Sequence, residues 1–327
     1  MPRPLHRATA ALMASLILAG CVTTRAQRIG EDDGTDACRA QVVALDSTGN
    51  FFAEDILRGA AIGALAGAAV GGATSRDWRG ALLGAAIGGA GGAAVGYFAA
   101  VQRQAGDQAA VTAQVGSDLQ RENAELIRTQ VAFDQLMDCR VRSANTVREA
   151  VREGRLDRPT GVARMNEIRG RAQRDLALAQ QINTQIGTRG AEFDTAIDNV
   201  VPGGKASLAG ALVGRAQPIR ATARRTVPVK LSPNAGSAEI AQLNPREAVQ
   251  VTPATGGYAL VETSSGLRGY APVDALQTPR RLPDATPPAG EDVRSLAATN
   301  VARRDNFAQS VGNAERLAQA GGFELAG

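Results

Sequence analysis

The sequence predicts a mainly α-helical chain, in which two helical hairpins are followed by a small all-β domain and a C-terminal helix. Glycines recur at every fourth position in two runs between residues 59 and 96, and apolar residues recur at helical spacing from Val111 to Val151 and again from Met165 to Val200. Both spacings are helical periodicities. Ten of the fourteen prolines lie from Pro218 onward, which favours short strands with turns in that part of the chain.

Residues 1–20 are typical of a secretory signal peptide. A basic head with Arg3, His6 and Arg7 precedes a short apolar run from Ala8 to Leu18. We expect this segment to be removed, so the mature protein is expected to act outside the cytoplasm.

A lipidation motif ends the signal peptide. Leu18, Ala19, Gly20 and Cys21 resemble the lipobox of bacterial lipoproteins. The resemblance implies cleavage before Cys21, attachment of lipid to its thiol, and sorting to the outer membrane, because Val22 rather than an aspartate follows. Most of the chain would then face the periplasm. The alternative is an ordinary signal peptide with an incidental cysteine.

Two cysteines remain once Cys21 is lipidated, and they are Cys38 and Cys139. An exported chain is in an oxidising compartment, so an even pair predicts a disulfide. Closing a loop of about 100 residues would stabilise the fold by roughly 4–5 kcal/mol. The alternative is two separate buried thiols.

Residues 21–52 are predicted to be a polar tether with one short helix. Thr35 can cap a helix from Asp36 to Leu45, which carries Cys38. The residues from Asp46 to Asn50 have turn-forming side chains and are expected to end it.

Residues 53–103 are predicted to form a glycine-zipper helical hairpin. Residues four apart lie on one face of a helix, so each glycine run leaves a surface without side chains against which a second backbone packs closely. The stretches 56–73 and 81–100 are otherwise apolar and are each just long enough to cross a bilayer. Their short connection makes the helices antiparallel. The helix-packing glycines are Gly59, Gly63, Gly67, Gly71, Gly80, Gly84, Gly88, Gly92 and Gly96.

The zipper and the lipobox together resemble the glycine-zipper outer-membrane lipoprotein family, over about residues 55–100. The resemblance implies that the membrane is a partner. Because Ala and Gly contribute little transfer free energy, each helix would be a marginal membrane span and needs packing against its neighbour or against other copies, so a homo-oligomer is expected. The alternative is a zipper that is not inserted and packs within a periplasmic oligomer.

Residues 104–201 are predicted to be an antiparallel coiled-coil hairpin about 60 Å long. Apolar residues at helical spacing run from Val111 to Val151 and again from Met165 to Val200. The break between the two runs is Gly154 to Gly161, which includes Pro159.

After a linker at residues 202–222, residues 223–278 resemble the bacterial SH3-like domain. The resemblance implies a groove for a peptide or glycan of the cell wall, in which the faces of Tyr258 and Tyr270 stack on the ligand and Arg268 contacts a carboxylate. Tyrosine stands at both positions where tryptophan is common in that family, and the alternative is that both rings are ordinary packing residues. The matching stretches are Val229 to Pro233, Glu239 to Val251, Gly257 to Val261 and Gly266 to Tyr270.

The tail is predicted to be a proline-rich linker at residues 279–290 and a helix within 291–327. The helix is expected from Glu291 to Ala320. Its apolar positions, which are scattered, are Val293, Leu296, Phe307, Val311 and Leu317.

Composition excludes several classes of function. The chain has 36 basic and 32 acidic residues, and this balance argues against a nucleic-acid partner. The single histidine, His6, leaves with the signal peptide, which excludes Ser/His and Cys/His catalysis and histidine-containing metal sites. A hydrolase that uses a pair of carboxylates is not excluded by residue content, but the Asp and Glu residues are dispersed along the predicted coil as a solvated face. We therefore expect no enzyme, no cofactor and no metal.

The sequence thus predicts a lipid-anchored protein of the outer membrane that links it to the cell wall or to a periplasmic protein. The alternative is an oligomeric pore or a component of a secretion machine built on the zipper helices. A pore would conduct ions through planar bilayers, whereas a tether would not.

Overall fold

A computed structural model describes residues 25–53, 97–102, 105–201, 218–283, 285 and 290–325. Its helices and strands follow the predicted order. The helices, in chain order, are α1 (Arg25–Ile29), α2 (39–53), α3 (97–102), α4 (Gln108–Arg152), α5 (Arg158–Val200) and α6 (Val293–Gln319). The strands are β1 (Ile219–Ala223), β2 (Val227–Lys230), β3 (Glu239–Leu243), β4 (Ala248–Pro253), β5 (Tyr258–Glu262), β6 (Arg268–Pro272) and β7 (Leu276–Gln277).

The predicted long hairpin is formed by α4 and α5. Asp107 and Asp157 cap the two helices, each accepting a hydrogen bond from a backbone N–H three residues later. Pro159 lies in the first turn of α5, where its missing N–H costs nothing, and Gly154 with φ of +71° allows the chain to leave α4. The apolar residues of α4 and α5 pack against each other, as their spacing predicts.

Helix α6 turns this hairpin into a three-helix bundle. It packs along both α4 and α5, and its Phe307 ring lies 5.6 Å from the ring of Phe133 on α4. The predicted apolar positions Leu296, Val311 and Leu317 are buried with it. The apolar residues of α6 therefore cover apolar residues of α4 and α5 that the two-helix hairpin alone would leave exposed to solvent.

Helix α2 is longer than the sequence predicts, because the helix continues through residues 46–50. The side chains that were expected to break it find partners along the helix. Ser47 donates to the carbonyl of Val43 at 2.8 Å, and Thr48 donates to the carbonyl of Leu45 at 2.9 Å. Burial of Phe52 then favours continuation of the helix over a turn.

The start of α2 also differs from the prediction. Asp36, rather than Thr35, caps it by accepting a hydrogen bond from the N–H of Cys38 at 3.0 Å. Thr35 instead donates its hydroxyl to Asp33 at 2.7 Å.

Cys38 and Cys139 form a disulfide between the start of α2 and the middle of α4. Their Cα atoms are 5.9 Å apart and are separated by 101 residues in sequence. The pair is therefore bonded in the structure, rather than being two separate buried thiols.

The strands form one antiparallel sheet in the order β3-β2-β6-β5-β4-β1-β7. Small and β-branched residues on one face of the strands pack into its own core, which includes Val229, Val251, Val261 and Ala271. Strand β1 begins at Ile219, inside the segment predicted to be a linker. Alternate residues of this strand, Ala221 and Ala223, are buried in the sheet core.

The sheet is docked on α4 by a buried carboxylate. Asp138 accepts hydrogen bonds from the hydroxyl of Ser237 and the N–H of Ala238, both at 2.8 Å, in the connection that leads to β3. Arg142, one turn further along α4, donates to the carbonyl of Gly236 at 3.3 Å. These contacts fix the orientation of the sheet relative to the bundle.

Several predicted features lie outside the described residues. They are the signal peptide, the lipidated cysteine Cys21 and all nine zipper glycines from Gly59 to Gly96. Within the part of the chain that the structure covers, no helix combines the length and the apolar character that a bilayer crossing requires.

Candidate functional site

The three predicted ligand residues share one face of the β5–β6 ladder. Leu260 pairs with Tyr270, and Glu262 pairs with Arg268. Tyr258 lies two residues before Leu260 and so points to the same side, while the residues between them face the sheet core. The sheet therefore places Tyr258, Arg268 and Tyr270 together, on the face that turns toward the helical bundle.

The bundle covers part of this face, so the three residues have different surroundings. Tyr270 is 4% exposed and lines a cavity between sheet and helices. Arg268 forms an ion pair with Glu262 across the two strands at 2.5 Å. Neither Arg268 nor Tyr258 is among the described residues that line the cavity. The predicted carboxylate contact at Arg268 therefore lies apart from this cavity.

The cavity has a volume of about 470 Å³ and lies between the sheet, α4 and α6. The sheet side contributes Pro218, Pro233 and Pro253, the last residue of β4, which make part of the wall apolar. The helices contribute the polar side. Those helix residues are Gln130, Asp134, Asn306, Gln309 and Ser310.

Gln130 organises the polar wall. Its side-chain nitrogen donates to Asp134 on the same helix and to the hydroxyl of Ser310 on α6, both at 2.9 Å. Both amide hydrogens are therefore used. The Gln130 carbonyl oxygen is buried and has no hydrogen-bond partner within the described part of the chain.

Asp134 is the only charged side chain among the described residues that line the cavity. Burial raises its pKa to about 7, and the negative charge of Asp138 adds to the rise, while the hydrogen bond from Gln130 opposes it. The site therefore presents a carboxyl whose pKa lies well above its usual value, on the same helix as a carbonyl oxygen that has no partner in the described part of the chain. Sequence reasoning missed Asp134, because one aspartate on the polar side of a helix has no distinguishing signal.

A second polar cluster lies beside the disulfide and serves packing. The buried guanidinium of Arg140 donates to Asp36 with both terminal nitrogens and to Asp175 at 2.6 Å. Burial would raise the pKa of Asp36, yet the hydrogen bonds from Arg140 and from the N–H of Cys38 keep that pKa below its usual value. Because the opposite charges are paired, this cluster holds α2, α4 and α5 together.

A third cluster contacts one residue on each side of the nine zipper glycines. The guanidinium carbon of Arg189 on α5 lies 5.0 Å from the ring centre of Phe51 and 5.9 Å from that of Phe193. The Tyr97 ring contacts that of Phe193, with ring centres 5.1 Å apart, and its hydroxyl donates to Asp118 at 2.8 Å. Residues 51 and 97 therefore contact the bundle through one continuous stack.

The stack rests on a buried ion pair, because Arg189 also donates to the carboxylate of Glu122 on α4. The sequence carried a signal for this pair. Glu122 occupies a seam position between Leu119 and Leu126, where an apolar residue is expected. A charged residue in such a position predicts a buried partner of opposite charge.

Comparison with known proteins bears on the zipper segment. Residues 58–103 match the protein-family model described as glycine zipper, of the outer-membrane kind. No curated protein and no solved structure matches the chain. The family match and the glycine spacing fall on the same residues, and they identify this segment as a glycine zipper similar to those of outer-membrane proteins.

Proposed function

We propose that the protein is a non-catalytic lipoprotein that links the outer membrane to the cell wall or to a periplasmic protein. Lipid on Cys21 anchors it, the zipper helices pack with each other or with further copies, and the SH3-like sheet contacts the partner. The observation that carries the proposal is that residues on both sides of the nine zipper glycines contact one stack on the bundle. Phe51 precedes the segment, and Tyr97 lies near its end.

A helical hairpin needs this arrangement. A chain that enters a membrane and returns must leave and re-enter its soluble part on the same side. The Phe51, Arg189, Phe193 and Tyr97 stack brings exit and return together whether the zipper inserts or packs beside other copies.

The contacts between the parts of the molecule also suit a tether. The disulfide joins α2, which leads into the zipper, to α4, and Asp138 on α4 holds the sheet. A mechanical force applied to the sheet would therefore be transmitted to the zipper through the disulfide, buried hydrogen bonds and packed helices.

Substitution of Cys21 and of matched glycines tests the proposal. We expect wild-type protein in the outer-membrane fraction and Cys21→Ser in the soluble periplasmic fraction. Gly88→Leu fills the predicted packing stripe, whereas Gly89→Leu makes the same change off the stripe. Chemical cross-linking in membranes should show loss of zipper contacts for Gly88→Leu only.

Two results would contradict the proposal. Equal membrane association of Cys21→Ser and wild type would show that lipid on Cys21 is not the anchor. Equal cross-linking of the two leucine variants would show that the glycine stripe does not mediate packing. Conductance steps from purified protein in planar bilayers would favour a pore instead.

A further inference from the structure

We propose that the cavity between the sheet and helices α4 and α6 binds a primary alkylammonium group, which Asp134 and the carbonyl of Gln130 accept. This deepens the partner contact proposed above. It rests on that proposal only for the source of the amine, which would be the cell wall or the periplasmic protein. Binding of the amine itself does not require a membrane.

The inventory of donors and acceptors points to a ligand that only donates. Gln130 uses both amide hydrogens on Asp134 and Ser310 and leaves its carbonyl oxygen without a partner in the described part of the chain. An ammonium group carries three donors and no acceptor. It can therefore donate to the Asp134 carboxylate, and to the Gln130 carbonyl once that buried oxygen turns toward the cavity.

The charges of the cavity favour a cation. Among its described lining residues, Asp134 is charged and no lysine or arginine is present. The only arginine predicted to meet a ligand, Arg268, is paired with Glu262. A carboxylate ligand would therefore meet like charge here, whereas an ammonium would compensate the partly buried Asp134 carboxylate.

The apolar part of the wall suits the alkyl chain of such a ligand. Pro233 and Pro253 line the cavity beside the ring of Tyr270. An aliphatic chain gains free energy when it leaves water for such surfaces, and an aromatic ring near a cation adds attraction. The site therefore favours an ammonium at the end of a short alkyl chain.

The binding should depend on pH. Asp138 on α4 is the charged group that acts on Asp134. Tyr270 on β6 and the neutral side chains of Asn306, Gln309 and Ser310 on α6 line the same cavity. Because the pKa of Asp134 is about 7 and a cation binds its ionised form, affinity should fall by about tenfold between pH 8 and pH 6.

Isothermal titration calorimetry on the purified full-length chain in detergent tests the inference. The probe is Nα-acetyl-lysine N-methylamide, and its Nε-acetylated analogue is the matched neutral probe. Cadaverine shows whether the amine alone is sufficient or a peptide frame is needed. We expect binding of the charged probe at pH 8, about tenfold weaker binding at pH 6, and no binding of the neutral analogue.

Two variants complete the test. Asp134→Asn keeps the size of the side chain and should abolish binding, while Glu149→Gln removes one exposed negative charge from α4 and should leave binding unchanged. Circular dichroism verifies that both variants are folded. The inference is wrong if wild type does not bind the charged probe, or if the neutral probe or Asp134→Asn binds equally well. Since Cys21→Ser should bind like wild type, failure of the anchor and failure of this site give different results.

Discussion

The guanidinium of Arg189 donates hydrogen bonds to the carboxylate of Glu122 in the interior of the helical bundle. The same guanidinium lies against the ring of Phe51, where α2 leads toward the zipper. One buried cation therefore compensates a buried anion and holds the end of the segment that precedes the zipper. Loss of either role should have a separate measurable effect.

Arg189→Met should lower the free energy of unfolding by about 3–5 kcal/mol, because it leaves the Glu122 carboxylate buried without its cation. The double variant with Glu122→Leu should recover much of this loss, since an apolar pair of similar volume needs no compensation. Urea denaturation followed by circular dichroism measures both.

Arg128→Met is the matched control for that change. Arg128 pairs with Glu125 on the surface, and 66% of the Arg128 side chain is exposed, so its removal should change the free energy of unfolding by less than about 1 kcal/mol. If the variants at Arg189 and Arg128 have similar stability, the interior pair is not the stabilising element argued for above.

Removal of the disulfide should weaken the fold without changing its architecture. In Cys38→Ser/Cys139→Ser we expect the free energy of unfolding to fall by about 4–5 kcal/mol, because the unfolded chain regains the freedom of a loop of 101 residues. The hydrogen bonds between Arg140 and Asp36 should still hold α2 on the bundle, so the far-ultraviolet spectrum should be unchanged. Wild type in reductant should match the variant, and an unchanged urea midpoint would show that the bond contributes nothing.

Much of the fold was predictable because periodicity reports burial directly. The seams of α4 and α5, with residues such as Leu119 and Ile182, needed only the spacing of apolar residues. The continuation of α2 was not predictable from turn-forming residues. Ser47 and Thr48 satisfy their hydroxyls on the preceding turn, and burial of Phe52 outweighs local preference.

The candidate site was predictable only in part, for a related reason. The resemblance named Tyr270 and Arg268 together, and the strand pairing places them on one face of the sheet. What covers the face depends on contacts between residues far apart in sequence. Gln130 and Ser310, which shape the cavity wall, are 180 residues apart, and nothing local in either helix indicates their meeting.

The docking of the sheet should depend on Asp138. Asp138→Ala leaves the hydroxyl of Ser237 and the N–H of Ala238 buried without an acceptor, at a cost of about 1–3 kcal/mol for each group. Hydrogen exchange should then be faster in β2 and β3 than in β4 and β5. Glu149→Ala, an exposed change on the same helix, should leave exchange as in wild type. Uniform exchange across the strands in Asp138→Ala would mean that other contacts hold the sheet.

Asp134→Asn should make the protein more stable at pH 8 and leave its stability unchanged at pH 4. The pKa of this carboxyl rises from 3.8 to about 7 on folding, so the folded state holds the proton more tightly than the unfolded state. As the pH rises from 3.8 to about 7, the Asp134 carboxyl ionises in the unfolded chain before it ionises in the folded protein. The unfolded state is therefore favoured in wild type, and the Asn variant, which has no ionisable group at this position, does not lose this stability. The gain at pH 8 should be roughly 2–4 kcal/mol, measured as the difference in urea unfolding between variant and wild type. Glu149→Gln should show no such pH-dependent difference, and a gain of the same size at pH 4 would show that Asp134 acts through packing rather than through its charge.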